Sequence, residues 1–453
     1  MSIRLILVYI AIPFLVFGIL TKPFFGIMLL TIFVSIRPDI WGAPEFLRPG
    51  FIFTVLTLIS LFIHRKKEPK LRLDVTVIIF LMLGLWMLFD AQFALYSPMI
   101  SQDFAIRYLK LGVQLFLAAS LITSTKRLNL FFWIIIAGML WLTKSVLAQY
   151  VFEGRVRVDP MGGSGGGGNA MATTLGMTIP FLFYKATEGK GKERIFALIA
   201  IPFWIFDLVA IGSRGGFLGF VLATGLFFIR LRRKLKLMTV IVPAVLLLSI
   251  FGTAYFWDRM KTIPDYEQDA SASNRIAMWK IALKYSEENL VLGIGTRNFP
   301  FLSKKVLGVG DGQGGLVVHN SYIELLVENG LPGLVLYLLG VSIALLHVRK
   351  CRKFAKRAKD DRVLLFANSL EIAIWVFLFR GLTGSNYFDD NFYYIIGASV
   401  GLYQYVQVLR KSPAHQDPVF SPGLNRFRHR KSDRKNRVSL DPSSAGFAQV
   451  NKE

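Results

Sequence analysis

The chain has 453 residues, 53% hydrophobic and 18% charged, and its 53 Lys and Arg against 29 Asp and Glu give a formal charge of +24. A water-soluble domain carries roughly a quarter charged residues, so this composition, with 39 phenylalanines, excludes an ordinary soluble protein. A single cysteine, Cys351, excludes a disulfide framework and a cysteine-based metal site, and the five histidines are too scattered to form a metal site.

A helix needs about 20 mostly apolar residues to cross a bilayer. Such runs lie near 5–20, 24–37, 50–63, 74–92, 105–124, 128–149, 170–184, 195–212, 215–230, 237–256, 321–347, 363–380 and 391–409. They predict an all-α polytopic membrane protein with 12 or 13 transmembrane helices. The first run follows Arg4 but ends in Gly18-Ile19-Leu20-Thr21-Lys22-Pro23, without a small-x-small cleavage site, so it is expected to stay as a helix. The chain divides into N-terminal spans over 1–256, a large loop over 257–320 with short helices, C-terminal spans over 321–410, and a tail over 411–453.

Positively charged segments resist translocation. Arg65 to Arg72, Lys126-Arg127, Lys185 to Arg194, Arg230 to Lys236, Arg349 to Arg362 and the chain from Arg410 hold 34 of the 53 basic residues and fall on alternate loops. These are the cytoplasmic segments. The opposite, outer face then receives 38–49, 93–104, 151–169, the turn at Ser213-Arg214, the loop 257–320 and 381–390.

Along the outer face, Arg107 and Lys110 lie three apart on one span, as candidate anion contacts. Gly162 to Gly168 lacks the Lys-Ser/Thr of a phosphate loop and is expected to be a flexible outer loop. Ile211-Gly212-Ser213-Arg214-Gly215-Gly216 joins two apolar runs with almost no loop. An arginine placed so either snorkels to the interface or binds an anion, and the glycines permit close backbone approach by a ligand.

In the long loop, Ser273 is the expected N-cap of a short amphipathic helix with Ile276, Trp279 and Leu283 on one face and Arg275 in its first turn. There the helix N–H groups and the guanidinium together suit a phosphate; the alternative is a solvated arginine or one paired with Asp269. Arg297 is a similar candidate. Gly310 to Gly315 fits G-x-G-x-x-G without the strand and helix that a dinucleotide site needs.

His319 is the one histidine assigned to the outer face, where the long loop re-enters the membrane as His319-Asn320-Ser321-Tyr322-Ile323-Glu324. It either caps a helix at the interface or serves as a base, for which an unperturbed value near 6.5 is suited at neutral pH. Glu324 and Glu328 share one helix face, and carboxylates at that depth face a cavity or a partner. Asn329-Gly330-Leu331-Pro332-Gly333 should kink the helix. The tail, with its basic run Arg426 to Arg437, is expected to be disordered and drawn to anionic inner-leaflet lipid at about 1 kcal/mol per basic residue. Aromatic residues interleaved for base stacking are almost absent there, so nucleic acid is not the expected partner.

Three segments together carry a resemblance: a Ser-Arg-Gly turn between spans, Ser-x-Arg-x-x-x-Trp at Ser273, Arg275 and Trp279, and His-Asn-x-Tyr-x-Glu-x-x-x-Glu-x-Gly-x-x-Gly from His319. Over roughly 20–410 the chain resembles the O-antigen ligase and polymerase superfamily. Lys22-Pro23-Phe24-Phe25-Gly26 and the loop around Trp41 look like the subgroup of O-glycosylation ligases that accompany exosortase systems. The resemblance implies a GT-C-like glycosyltransferase of the bacterial inner membrane. It would take a glycan from undecaprenyl diphosphate at the periplasmic face and transfer it to an acceptor hydroxyl on lipid A core or protein. It also implies no metal and no cofactor; Asp389-Asp390 is the nearest thing to an outer Asp-x-Asp. Arg214 and Arg275 would bear the leaving diphosphate and His319 the acceptor, with Ser213, Arg297, Asn320, Tyr322, Glu324, Arg107 and Lys110 as further substrate contacts. A polymerase that extends the glycan on its own carrier, and a transporter of lipid-linked sugar, are the alternatives.

Overall fold

The computed structural model describes residues 3–36, 49–66, 73–154, 158, 167–231, 234–261, 270–308 and 315–411. Trp41, Gly162 to Gly166, Asp269, Gly310 to Gly314 and the basic tail lie outside these. The described residues form helices and no strands. The helices are α1 (Ile3–Thr21), α2 (Pro23–Ile36), α3 (Pro49–Ile63), α4 (Val75–Asp90), α5 (Pro98–Leu121), α6 (Thr125–Leu147), α7 (Gly167–Glu188), α8 (Gly191–Ile211) and α9 (Arg214–Arg230). They continue as α10 (Lys234–Phe251), α11 (Ala254–Lys261), α12 (Ala270–Glu288), α13 (Phe299–Leu307), α14 (Ser321–Ala358), α15 (Asp361–Gly381) and α16 (Asp390–Lys411). Gly167 and Gly168, expected in a flexible loop, open α7 and are buried. Gly168 packs on Ile211 and the Val158 carbonyl.

This is an all-α polytopic membrane protein. Seven segments, built on α4, α5, α6, α8, α10, α14 and α15, are long and apolar enough to cross a bilayer. The thirteen apolar runs each overlap a helix, but α2, α3 and α9 have only 14, 15 and 17 residues. α7 is too polar, yet it buries 19 of its 22 residues. A helix ringed by other helices meets protein instead of lipid and needs no lipophilic surface. Thr173, Thr174 and Thr178 are tolerated on α7 because each hydroxyl donates to a carbonyl of the preceding turn.

α14 is broken where its sequence says it should be. Gly330 has φ 66° and ψ −176°, and Pro332 lacks the N–H that would have bonded Glu328. The carbonyls so released find other donors: Val327 accepts from Ile294 N (2.9 Å), Glu328 from Gly295 N (2.9 Å) and Asn329 from Trp86 Nε1 (2.8 Å). Gly293 makes this approach possible, since a methyl there would lie 2.5 Å from the Glu328 carbonyl. The long loop is thereby stitched into the membrane helix. Met278, Ala282, Ile294, Phe299, Leu302, Val318 and Val327 close over the junction as a small apolar core.

Where the end of α9 meets the middle of α15, Glu371 is 1% exposed in its side chain and meets three guanidiniums: Arg230 (3.2 Å), Arg349 (3.1 Å) and Arg352 (2.7 Å). Glu371→Gln removes the one negative charge among them. Breaking a fully enclosed pair costs about 3–5 kcal/mol; with Arg349 open to solvent, about 2 kcal/mol is expected here. The unfolding midpoint in detergent should fall accordingly, and an unchanged midpoint would show that the cluster does not hold the bundle.

Candidate active site

The site begins at the joint of α8 and α9. Gly212 (φ 60°) ends α8 in the left-handed conformation, donating to Leu208 and Val209 carbonyls. Ser213 follows at once as N-cap of α9; its Oγ accepts from Gly216 N (3.2 Å) and donates to Asn169 Oδ1 on α7 (2.8 Å). One residue closes one helix and the next opens another, which fixes Arg214 in the first turn of α9. Gly215 lies against a second guanidinium, that of Arg380 at the end of α15, and a methyl on Gly215 would overlap it.

Arg380 is 4% exposed. Its Nε donates to Thr173 Oγ1 (3.2 Å) and its Nη1 to Thr383 Oγ1 (3.4 Å). Arg275 reaches the same turn, donating to the Thr383 carbonyl (3.3 Å). The two guanidiniums act on each other as like charges, and no described carboxylate pairs with Arg380. A buried cation in this state is costly and calls for an anion.

Arg275 does not sit where its local sequence suggests. α12 starts at Ala270, so Ser273 is inside the helix instead of capping it, and Arg275 lies beyond the first turn. The helix extends because it is held from its far side: Met278 and Ala282 are buried in the loop core and Trp279 Nε1 donates to the Val318 carbonyl (2.9 Å). Packing overrides the capping preference.

That last bond positions the next residue, His319. Its backbone is left-handed (φ 57°) and its N–H donates to Ser385 Oγ (3.2 Å). A left-handed conformation at a non-glycine residue costs of order 1–3 kcal/mol and persists where surroundings enforce it. Here they do. Asn320 caps α14 through Tyr322 N (3.0 Å) and Ile323 N (3.2 Å), Ser321 Oγ donates to the Gly384 carbonyl (2.7 Å), and Tyr322 OH donates to the Leu378 carbonyl (2.6 Å). The His-Asn-Ser-Tyr segment is therefore locked to the turn that carries Thr383, the residue both arginines touch. Burial first, and then the charge of Arg275, push the His319 imidazole down to about 4. The expectation of an unperturbed value is corrected: at pH 7 the ring is neutral and able to accept a proton, but it is a weaker base than a free imidazole.

The other expected contacts are placed differently. Arg297, also left-handed (φ 62°), pairs with Glu324 (3.5 Å) and lies over the Phe104 ring (5.0 Å). Glu324 thus meets Arg297 as its partner. Glu328 accepts from Tyr387 OH (2.9 Å) and Phe299 N (3.3 Å), which makes this carboxylate an anchor for the loop. Arg107 and Lys110 are exposed on α5, more than two turns from its start. Among the described residues, no three His, Cys, Asp or Glu side chains gather as a metal site.

Arg380, Asn169, Thr173, Thr383 and Ser385 escaped the sequence reading. Arg380 ends an apolar run, where a basic residue passes for an ordinary helix terminus. The signal was its place: it adjoins 381–390, which the charge bias assigns to the outer face, where a basic residue is disfavoured.

Residues 196–338 match the family model for O-antigen ligase, and this domain supports membership of the O-antigen ligase superfamily. It holds Ser213, Arg214, Arg275, Arg297, His319, Asn320, Tyr322 and Glu324, while Arg380 lies beyond it. No curated protein matches the chain.

Proposed function

We propose that this O-antigen ligase domain works as a membrane glycosyltransferase that moves a glycan en bloc from undecaprenyl diphosphate to an acceptor hydroxyl, on lipid A core or on a protein. On the charge bias of the loops, the site faces the periplasm of the bacterial inner membrane and the C-terminus lies in the cytoplasm. The carrying observation is Arg380 buried without a carboxylate beside Arg275 and the first turn of α9, one turn of chain from a neutral histidine.

The diphosphate binds Arg214, Arg275 and Arg380. The acceptor oxygen forms its bond to the anomeric carbon from the face opposite the diphosphate. The bond from that carbon to the phosphate oxygen breaks, its electron pair staying with undecaprenyl diphosphate, so the centre inverts. The acceptor proton passes to the His319 imidazole and from there to solvent. Fixed cations are most effective against charge that develops in the transition state, which here is on the leaving diphosphate.

Product length tests the reading. Purified protein with a single-repeat lipid-linked donor and an acceptor should shift the acceptor by one donor unit. A ladder of repeats on the carrier lipid would establish a polymerase instead, and movement of donor across vesicles without acceptor would establish a transporter.

The charge on His319 gives a further expected result. A group whose value is lowered stays neutral until pH falls through that lowered value. The acid limb of kcat/KM, which reports the free enzyme, should therefore lie near the about 4 of the donor-free site. Bound diphosphate offsets Arg275, so the acid limb of kcat should lie at higher pH. Coincident limbs would exclude this coupling.

A further inference from the structure

A second site lies away from the arginines, at the turn between α1 and α2. A cavity of 520 Å³ opens there, walled by the α1–α2 turn, the end of α3 and the start of α6. Its size falls within the range of small-molecule sites, about 300–1,000 Å³.

The lining is sorted by depth. Lys22, His64 and Arg127 stand at helix ends, where a bilayer meets water, and among the described residues that line the cavity none is acidic. Met28, Ile32 and Ile134 lie deeper. At 1.5 Å per helical residue, Ile32 is roughly 15 Å below Lys22 and Ile134 roughly 10 Å below Arg127. The cavity is thus cationic at the interface and apolar toward the bilayer interior. Arg127 and His64 are held in place. Arg127 Nη1 donates to the Leu121 carbonyl (2.9 Å) and its guanidinium stacks 4.8 Å from the Phe24 ring centroid. His64 Nδ1–H donates to the Ser60 carbonyl (3.0 Å). The walls are shaped for the opening too: Gly18 leaves room for the Phe25 ring, which a methyl would meet at 2.6 Å.

We propose that this cavity seats one anionic glycerophospholipid, its phosphate between Lys22 and Arg127 and an acyl chain along Met28, Ile32 and Ile134. A free phosphate would use the cations alone and leave the apolar wall empty. A neutral lipid would use the wall alone. Only an anionic lipid matches both ends and their order along the bilayer normal. This site is independent of the glycan reaction.

The test uses the full-length protein reconstituted in phosphatidylcholine nanodiscs containing phosphatidylglycerol, with retained lipid identified by native mass spectrometry. Wild type should retain phosphatidylglycerol in preference to phosphatidylcholine. Lys22→Gln with Arg127→Gln should lower that preference roughly thirtyfold, the factor for two interfacial cations, while Arg127→Lys keeps most of it. Ile134→Trp, which fills the apolar end and leaves every charge, should also lose the lipid. Excess inorganic phosphate should not displace it. Displacement by phosphate, or unchanged retention in the double variant or in Ile134→Trp, would overturn the proposal. The tail beyond 411 is common to all variants and cannot produce these differences.

Discussion

Alanine at Arg214, Arg275 or His319 is expected to abolish glycan transfer from a lipid-linked donor while leaving membrane insertion intact. The magnitudes follow from what each group does. Removing one preorganised donor to a developing anion costs about 10²–10³ in kcat, and removing a general base about 10²–10⁴. The three side chains approach from α9, α12 and the entry to α14, yet Arg275 and the His319 segment are tied to the same turn at Thr383–Ser385. Groups that act as a unit lose function non-additively, so Arg275→Ala combined with His319→Ala should be hardly worse than the more severe single variant. Initial rates over a range of donor concentration decide the matter. Full activity in any one variant removes that residue from the mechanism.

Arg380→Met should lower transfer by about 10²–10³ and at the same time raise the unfolding midpoint of the donor-free protein. The two signs oppose each other because the guanidinium is burdened in the empty site and used in the occupied one. Buried beside Arg275 without a carboxylate, it carries a desolvation cost that a methionine of similar shape does not. When diphosphate is bound, the same charge meets its complement. A residue that merely braces α7 against α15 through Thr173 would behave otherwise, since its loss would lower the midpoint. Thermal unfolding with and without donor separates the two: donor should stabilise wild type strongly and Arg380→Met weakly. A lower midpoint in the donor-free variant would assign Arg380 to the scaffold.

Much of this was legible in the chain, and the limits have physical causes. The joint at Gly212-Ser213 could be foreseen because a left-handed residue after one helix and a capping residue before the next are local requirements. The break at Gly330 is equally local, since Asn-Gly-Leu-Pro-Gly cannot continue a helix. The donors that repair it could not be foreseen: Ile294, Gly295 and Trp86 are far away in sequence, and only the fold brings them to the freed carbonyls. The start of α12 was misplaced because Ser273 offers a cap that tertiary packing declines. Among the described residues seven helices have the length and hydropathy of a span; an apolar run reports burial, and α7 shows that protein can do the burying. Arg380 was hidden because an arginine at the end of an apolar run looks the same whether it meets lipid headgroups or a substrate.

The repaired break in α14 has a consequence for how the protein is made. Ile294 and Gly295 donate to carbonyls of Val327 and Glu328, which leave the ribosome later. At about 5–20 residues per second, the loop waits roughly two to seven seconds for its partners. During that interval Ile294, Phe299 and Leu302 have no Val327 to close on. The loop is therefore completed from behind, by a helix synthesised after it, and the turn at Thr383–Ser385 that ties Arg275 to the His319 segment arrives later still.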